Sequence, residues 1–282
     1  MRALIAVAIM GLICWPVLAQ DAAPDWVENM KQVHAKFTGE KGTLANFGDS
    51  ITVTLAYWSP LQYGRKNMDK KAQDAFELVS GYMQKDCWAK WKGPEYGSTG
   101  MMTIRWASDN VDKWLKKLNP EVAVMMFGTN DLHALKQEEY ETKTREVVKK
   151  CLDNGTILIL TTPPPRHGFE EKAKLFADTV RKIAKDMKVA LCDFHEAVVS
   201  RRPKDWDGAA DEFKEYKDYD VPAPIARDGV HPSNPKKWEG DYSEEALKNN
   251  GFALRNYVTL LSYAEVIQKV LKDDKPATKP AP

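Results

Sequence analysis

The feature that most constrains the fold of this chain is a regular alternation of short apolar segments with longer amphipathic ones. The apolar segments end abruptly at glycine, proline or a polar residue, which is typical of buried strands. One of them, 87–91, is weak and rich in tryptophan. Strands are predicted at 44–47, 87–91, 122–127, 156–161 and 189–194. Such nearly continuous apolar strands are expected in a parallel sheet that is covered on both faces.

The segments between these strands have helical periodicity rather than the turn signals of hairpins. Apolar residues fall on one face at 104–118, 140–151 and 176–187, and a last helix is predicted at 257–271. Strands and helices therefore alternate, as they do where crossover helices connect parallel strands. The sequence predicts one α/β domain, a three-layer α/β/α sandwich of the flavodoxin-like kind with about five parallel strands.

Both ends of the chain are predicted to lie outside this domain. An arginine at position 2 precedes an apolar run that finishes in Val17-Leu18-Ala19, the pattern of a secretory signal peptide (1–19) cleaved after Ala19. The alternative is an uncleaved membrane anchor, although the run is shorter than the roughly 20 residues that span a bilayer. The proline-rich residues 273–282 are expected to be a disordered tail. This leaves 20–272 as the domain and predicts a secreted or periplasmic location.

The charge balance argues against nucleic-acid and anionic-membrane partners, and the cysteine count limits the number of disulfides. The chain holds 41 Lys and Arg against 40 Asp and Glu, and loss of Arg2 with the signal peptide leaves 40 of each. A balanced surface gives no electrostatic reason to expect binding to nucleic acid or to an anionic membrane. The remaining cysteines, Cys87, Cys151 and Cys192, permit at most one disulfide, and buried thiols are favoured.

Polar residues lie where the loops of such a sheet are expected to form a ligand crevice, at the carboxyl ends of the strands. Ser50 directly follows the first strand, Asn130 follows 122–127, and Asp228 and His231 lie in a loop before the last helix. A serine becomes a nucleophile when an imidazole accepts its proton and a carboxylate orients that imidazole. We therefore expect Ser50, His231 and Asp228 to form a catalytic triad, with Asn130 donating to the oxyanion.

Four short motifs resemble the conserved blocks of the GDSL or SGNH hydrolase superfamily. They are NFGDSIT at 46–52, EYGSTGMMT at 95–103, MMFGTNDL at 125–132 and RDGVHPS at 227–233, in the order found in that family. The resemblance implies the SGNH hydrolase fold and a serine esterase that needs no cofactor. It also implies an oxyanion hole formed by the backbone N–H groups of Ser50 and Gly100 and the side-chain amide of Asn130. Gly97 is the alternative to Gly100.

Other residues expected at the same edge are candidates for contact with a substrate. Trp58 lies in a loop-like segment, and tryptophan faces suit the apolar C–H faces of sugar rings. His133 lies three residues after Asn130, and His167 follows the strand that ends before Pro163. For each of these residues the alternative is a structural role. The histidines show no metal-ligand spacing, so no metal is predicted.

Together these observations predict a secreted serine esterase that removes acetyl or other short acyl groups from a carbohydrate. Lipid or lysophospholipid esters are the alternative within the same chemistry. A carbohydrate-binding protein without turnover is the alternative from another class. The expected partner is a small-molecule or polysaccharide ester, with no nucleic acid and no stable membrane insertion. The aromatic-rich stretch 51–99 is expected to build a wall or a lid beside Ser50.

Overall fold

The computed structural model describes residues 25–272, whose strands form a single parallel sheet. The strands are β1 (Leu44–Gly48), β2 (Val122–Met126), β3 (Ile157–Thr161) and β4 (Ala190–Cys192), adjacent in the order β1-β2-β3-β4. Every residue of β2 and β3 is buried, as expected for strands covered on both faces. The predicted α/β fold, a parallel sheet flanked by helices, is confirmed.

Helices connect the strands and pack in two groups. They are α1 (Asp25–His34), α2 (Ser50–Val53), α3 (Lys70–Tyr82), α4 (Ile104–Leu118), α5 (Asp131–Ala134), α6 (Gln137–Asp153), α7 (Glu170–Asp186), α8 (Phe194–Arg201), α9 (Glu244–Asn249) and α10 (Gly251–Val266). A π-helical turn, Ile267–Leu271, extends α10. In one group α6 packs against α4 and α7, and in the other α10 packs against α3, α8 and α9. The sheet between them carries the apolar core.

The described part of the sheet has four strands rather than the five predicted. The segment 87–91 is not a strand, because Lys85–Trp88 forms a 3-10 turn and only the first two residues of the segment are buried. The outer edge of β1 is instead paired by Ser98, through a single parallel bridge to Gly48. The Gly48 N–H donates to the Gly97 carbonyl oxygen at 2.9 Å, and the Thr99 N–H donates to the Gly48 carbonyl oxygen at 3.2 Å. This bridge occupies the place that the second strand takes in the flavodoxin order.

The predictions for the two ends of the chain are not tested by this structure. The predicted signal peptide, 1–19, and the predicted tail, 273–282, lie outside the described residues. Among the helices of 25–272, none combines the length and the apolar character that a membrane span needs.

The cysteines of the described chain are buried, unpaired thiols. Cys151 lies on α6 and Cys192 in β4, as predicted, and the Cys87 sulfur accepts a bond from the Leu44 N–H at 3.3 Å. Burial raises the pKa of the Cys151 thiol to about 12. Burial also raises the pKa of the Cys87 thiol to about 11, although the hydrogen bond from the Leu44 N–H opposes this rise. These thiols therefore stay protonated at neutral pH and act as small apolar groups.

The aromatic-rich stretch that follows β1 packs against the core in this structure. Trp58 is buried and stacks on Trp88, with ring centroids 5.0 Å apart. Asn256 of α10 holds the backbone here. Its Oδ1 accepts from the Trp58 N–H at 2.7 Å, and its Nδ2 donates to the Ala56 carbonyl oxygen at 3.1 Å. Leu55 and Tyr63 are the large apolar side chains of this stretch that face solvent, at 70% and 83% exposure.

Candidate active site

Ser50 is the first residue of α2, directly beyond the carboxyl end of β1. Asp49 caps this helix, because its Oδ1 accepts a bond from the Ile51 N–H at 3.0 Å. Gly48 has no room for a side chain, since a Cβ there would lie 2.1 Å from the Thr52 hydroxyl oxygen. The strand end, the glycine and the cap together hold the serine at the edge of the sheet where loops converge.

Three side chains from two distant parts of the sequence form one line of hydrogen bonds. Ser50 Oγ lies 2.9 Å from His231 Nε2, and His231 Nδ1 lies 2.6 Å from Asp228 Oδ2. A carboxylate can only accept, so the ring proton is assigned to Nδ1, which leaves Nε2 to accept the serine proton. This arrangement is the one that a base-activated serine requires.

The loop 228–231 orients its own carboxylate. Asp228 Oδ1 accepts from the backbone N–H groups of Val230 and His231, both at 2.9 Å. Burial opposes ionisation of Asp228, but the bonds from the His231 ring and from these N–H groups outweigh it, so its pKa lies below the usual value. Asp228 is therefore charged at neutral pH and can stabilise an imidazolium. Tyr219 stands edge-on to the His231 ring, with centroids 5.8 Å apart.

The three predicted oxyanion donors belong to segments that meet at the nucleophile turn. The backbone N–H groups of Ser50 and Gly100 donate to no group within residues 25–272. Asn130 Nδ2 lies 3.1 Å from the Met102 carbonyl oxygen and 3.4 Å from Asp49 Oδ2. The second distance is long for a hydrogen bond, so one N–H of the Asn130 amide is held only weakly and is available to an oxyanion.

Gly97 and Gly100, the two alternatives for the oxyanion glycine, have different surroundings. Gly97 has a φ of 90° and is packed so closely that a Cβ would lie 2.4 Å from the Phe47 ring. Its N–H donates to the Pro94 carbonyl oxygen at 3.4 Å. A Cβ on Gly100 would meet nothing within 4 Å. Gly97 therefore shapes the turn, and Gly100 is the glycine with an available N–H.

Two buried carboxyl groups lie near Asn130: Asp49, whose Oδ2 is 3.4 Å from the Asn130 amide, and Asp131, the next residue in the chain. Asp131 Oδ1 accepts from the Ile104 N–H at 2.8 Å, while Oδ2 has no hydrogen-bond partner within the described chain. Burial raises the pKa of Asp131 to about 7, against the pull of the Ile104 N–H, and the neighbouring Asp49 raises it further. Burial also raises the pKa of Asp49 to about 6, opposed by the Ile51 N–H. These two groups are close enough for ionisation of one to hinder the other.

Arg255 supports the nucleophile turn from α10 and was not predicted from the sequence. It is fully buried, and it donates to the Ile51 carbonyl oxygen at 2.5 Å and to the Thr52 hydroxyl oxygen at 2.9 Å. Its guanidinium carbon lies 3.7 Å from the centroid of the Tyr57 ring. A cation is favoured at this end of α2, where the helix carbonyls point. The available signal was a lone arginine in the apolar pattern GFALRNYV at 251–258.

Trp58, predicted to contact the substrate, lies in the core. Its side chain is 1% exposed, so the indole offers no face to a sugar ring. The physical reason is its backbone, which Asn256 holds in a conformation with a φ of 67° that turns the side chain inward. The structure therefore contradicts a substrate contact for Trp58 in this conformation.

His133 and His167 are exposed on neighbouring segments. His133 lies on α5, edge-on to Phe169, with ring centroids 4.3 Å apart. His167 Nδ1 lies 2.5 Å from Asp207 Oδ2, and the backbone N–H of His167 donates to the Gly229 carbonyl oxygen at 2.9 Å. The loop after β3 therefore touches the loop 228–231. Substrate contact by either histidine stays a prediction.

His167 also belongs to a cluster of metal-ligand types, although no metal was predicted. One ligand atom each of His167, Glu170 and Asp207 lie within 4.8 Å of one another. His167 and Asp207 already bond to each other, and Glu170 accepts from the Gly168 N–H at 2.8 Å. The hydrogen bond and the charge of Asp207 raise the pKa of His167, which makes this pair a surface ion pair.

A model of the GDSL-like lipase/acylhydrolase family matches residues 47–235. A sequence search against curated proteins finds no match. Among solved structures, TesA is 18% identical, with 82% of this chain and 98% of that chain covered and a TM-score of 0.48. A catalytic mutant of an acetylxylan esterase from Geobacillus stearothermophilus is 16% identical, with 83% of this chain and 96% of that chain covered and a TM-score of 0.47. A GDSL-like lipase from Bacteroides thetaiotaomicron is 13% identical, with coverage of 88% and 96% and a TM-score of 0.45.

Proposed function

The chain belongs to the GDSL-like lipase/acylhydrolase family of ester-hydrolysing enzymes, and from this premise we propose that it is a serine esterase with Ser50 as its nucleophile. The observation that carries the proposal is the line of hydrogen bonds from Ser50 Oγ through the His231 ring to Asp228, with distances of 2.9 Å and 2.6 Å. A general base must lie within hydrogen-bond reach of the proton it takes, and His231 does.

The reaction follows from these positions. His231 Nε2 takes the proton while Ser50 Oγ attacks the ester carbonyl carbon, and the carbonyl oxygen becomes an oxyanion. The N–H groups of Ser50 and Gly100 and the Asn130 amide stabilise that charge. The intermediate then breaks its bond to the alcohol, which leaves with the proton held by His231, and the acyl group stays on the serine. Water, deprotonated by His231, releases the acid in the same way, and no step requires a cofactor.

The acyl group we propose is acetyl or another short one, carried on a carbohydrate. A cavity of about 230 Å³ beside the triad is lined by Thr54, Ala56, Tyr219, His231, Asn234 and Phe252. Sites for drug-sized ligands occupy about 300–1,000 Å³, so this cavity suits a short acyl group better than a long chain. The mixture of hydroxyl, amide and aromatic groups also suits a sugar.

One observation favours the alternative, a lipid or lysophospholipid esterase. A second cavity, of about 480 Å³, is lined by Leu55, which lies between Thr54 and Ala56 in the sequence, and by Tyr63, and both of these side chains are exposed. An acyl chain that passed over Leu55 would find apolar surface there. The length of the preferred acyl chain therefore distinguishes the two substrates.

Labelling and chain-length measurements test this proposal together. A fluorophosphonate probe, which reacts with activated serines, should label the native protein but neither Ser50→Ala nor His231→Ala, while the exposed-serine control Ser200→Ala should label normally. Rates on nitrophenyl esters of graded length should peak at the shortest acyl groups. A peak at long chains would favour the lipid alternative. No labelling and no hydrolysis, with tight glycan binding kept by Ser50→Ala, would support a non-catalytic carbohydrate-binding protein.

We also propose export from the cytoplasm, as the predicted signal peptide 1–19 suggests. Expression in a bacterial host with its leader intact should give a mature protein that begins at Gln20 in the periplasm or medium. A protein that keeps Met1 and stays with the membrane fraction would support the uncleaved anchor instead.

A further inference from the structure

Arg166 lies in the loop between β3 and α7, at the same edge of the sheet as the triad. Its Nη1 donates to the Thr129 carbonyl oxygen at 2.5 Å, and Thr129 directly precedes Asn130. The carboxyl groups that interact electrostatically with its guanidinium are Asp228 and Asp49. Arg166 is thus placed between the oxyanion loop and the triad.

The guanidinium of Arg166 is half-buried and has hydrogen-bonding capacity to spare. An arginine offers five N–H donors, and within the described chain only the bond to Thr129 is formed. It takes part in no salt bridge among residues 25–272, whereas the similarly half-buried Arg145, Arg181 and Arg202 each pair with a carboxylate. Burial lowers the pKa of Arg166, as expected for a cation partly removed from water without a partner.

Neither of the two carboxyl groups that act on this cation forms a salt bridge with it within the described chain. Asp228 already accepts from the His231 ring and from two backbone N–H groups. Asp49 is fully buried, and its oxygens already face the Ile51 N–H at 3.0 Å and the Asn130 amide at 3.4 Å. Removing a charge from water without a partner is unfavourable, so a site of this kind gains most from a ligand that supplies an anion.

An aromatic ring lies beside the unpaired cation. The centroid of the Phe169 ring is 5.3 Å from the Arg166 guanidinium carbon, and the His133 ring packs edge-on against Phe169. Burial lowers the pKa of His133, and the charges of Arg166 and Lys172 lower it further. Cationic and aromatic groups therefore lie together on this side, and they suit a ring that carries a negative group.

We propose that Arg166 binds the carboxylate of an acidic sugar, so that the preferred substrate is an acylated uronate rather than the ester of a neutral sugar. A guanidinium matches a carboxylate through two parallel hydrogen bonds, and Thr129 occupies only one of its nitrogens. Phe169 then supports the sugar ring. The inference rests on the proposed function, because it concerns the substrate of the same site.

The test uses two acetylated sugars that differ only at the sixth carbon, methyl O-acetyl-glucuronoside and methyl O-acetyl-glucoside. We expect the native enzyme to prefer the uronate in kcat/KM by about tenfold or more, since a charge-assisted pair is made with only one of them. Arg166→Met should abolish the preference by raising KM for the uronate alone, and Arg166→Lys should keep part of it. Arg201→Met, which removes another half-buried arginine, one paired with Glu244, is the control and should keep the native preference.

The outcomes separate this inference from the proposed function. Equal rates on the two sugars, or a preference that survives in Arg166→Met, would overturn the role of Arg166 and leave a serine esterase. If the native protein takes the fluorophosphonate label but hydrolyses neither sugar, the inference is overturned and the serine esterase is not. If the native protein takes no label and hydrolyses no ester, both are overturned. If Arg166→Met fails to fold because Thr129 loses its donor, inhibition of the native enzyme by the two unacetylated sugars tests the inference instead. Methyl glucuronoside should then inhibit more strongly than methyl glucoside, and less as salt rises, whereas equal inhibition contradicts the inference.

Discussion

The buried pair Asp49 and Asp131 should make the folded protein less stable as the pH rises towards neutrality. The pKa of Asp131 is raised from 3.8 to about 7, and that of Asp49 from 3.8 to about 6. A carboxyl whose pKa is higher in the folded state binds its proton more tightly when folded, so the unfolding free energy falls as pH rises. The fall begins above the unfolded pKa, near pH 4, and levels off above the folded one, near pH 7.

Replacing Asp131 by asparagine removes this titration and keeps an acceptor for the Ile104 N–H. One pKa unit corresponds to about 1.4 kcal/mol, so a shift of about three units corresponds to at most about 4 kcal/mol. Roughly 2–3 kcal/mol of this develops between about pH 5 and about pH 8. We therefore expect Asp131→Asn to gain that amount of unfolding free energy relative to the native protein over this interval.

Urea unfolding followed by tryptophan fluorescence at several pH values measures this difference. Asp153→Asn is the control, because Asp153 is an exposed carboxylate that pairs with Lys149 at the surface of α6. Its unfolding free energy should stay within about 0.5 kcal/mol of the native value at each pH. A difference between Asp131→Asn and the native protein that is constant over the interval, or that grows towards acid, would refute the reasoning.

Three further predictions concern the glycines, Arg255 and Asp228. Gly97→Ala should lower the unfolding free energy by about 2–4 kcal/mol, because Gly97 has a positive φ and is closely packed. Gly100→Ala should leave the urea midpoint near the native value, since a Cβ there meets nothing within 4 Å. Similar urea midpoints for the two variants would contradict this prediction. Arg255→Met should lower the unfolding free energy by about 2–4 kcal/mol, because the buried Ile51 carbonyl oxygen loses its donor. An unchanged urea midpoint would count against that contact. Asp228→Asn should lower kcat on nitrophenyl acetate by about 10³-fold while the protein stays folded, because the ring tautomer is no longer fixed; retention of a tenth of the activity would be inconsistent with the triad.

The parallel sheet could be predicted from the sequence because β2 and β3 are apolar at nearly every position. Such strands are stable only when both faces are covered. The prediction of a strand at 87–91 was wrong, because Cys87 and Trp88 are buried from within a 3-10 turn and the two residues that follow them are exposed. The pairing at Ser98 has no hydrophobic signature, because two backbone hydrogen bonds make it. A pattern of side chains cannot reveal such a pairing.

The residues of the proposed triad could be selected from sequence because few residue types perform this chemistry and the Asp-x-x-His spacing limits their arrangement. The surroundings of the site could not be predicted in the same way. The burial of Trp58 depends on a hydrogen bond to Asn256, far away in sequence. Arg166 is an ordinary surface residue by sequence, and only the fold shows that it donates to Thr129 and forms no salt bridge within the described chain.

The nucleophile turn is held by buried charged groups where an apolar core would be expected. Arg255 donates to two groups of α2, and Asp49 caps the other end of the same helix. Burying such groups is unfavourable by itself, and well-packed apolar side chains would often give greater stability. Apolar contacts are not directional, however, whereas these hydrogen bonds fix both ends of a helix of only four residues. The position of Ser50 relative to His231 therefore depends on these polar contacts, and substitutions that remove them should impair the site before they unfold the domain.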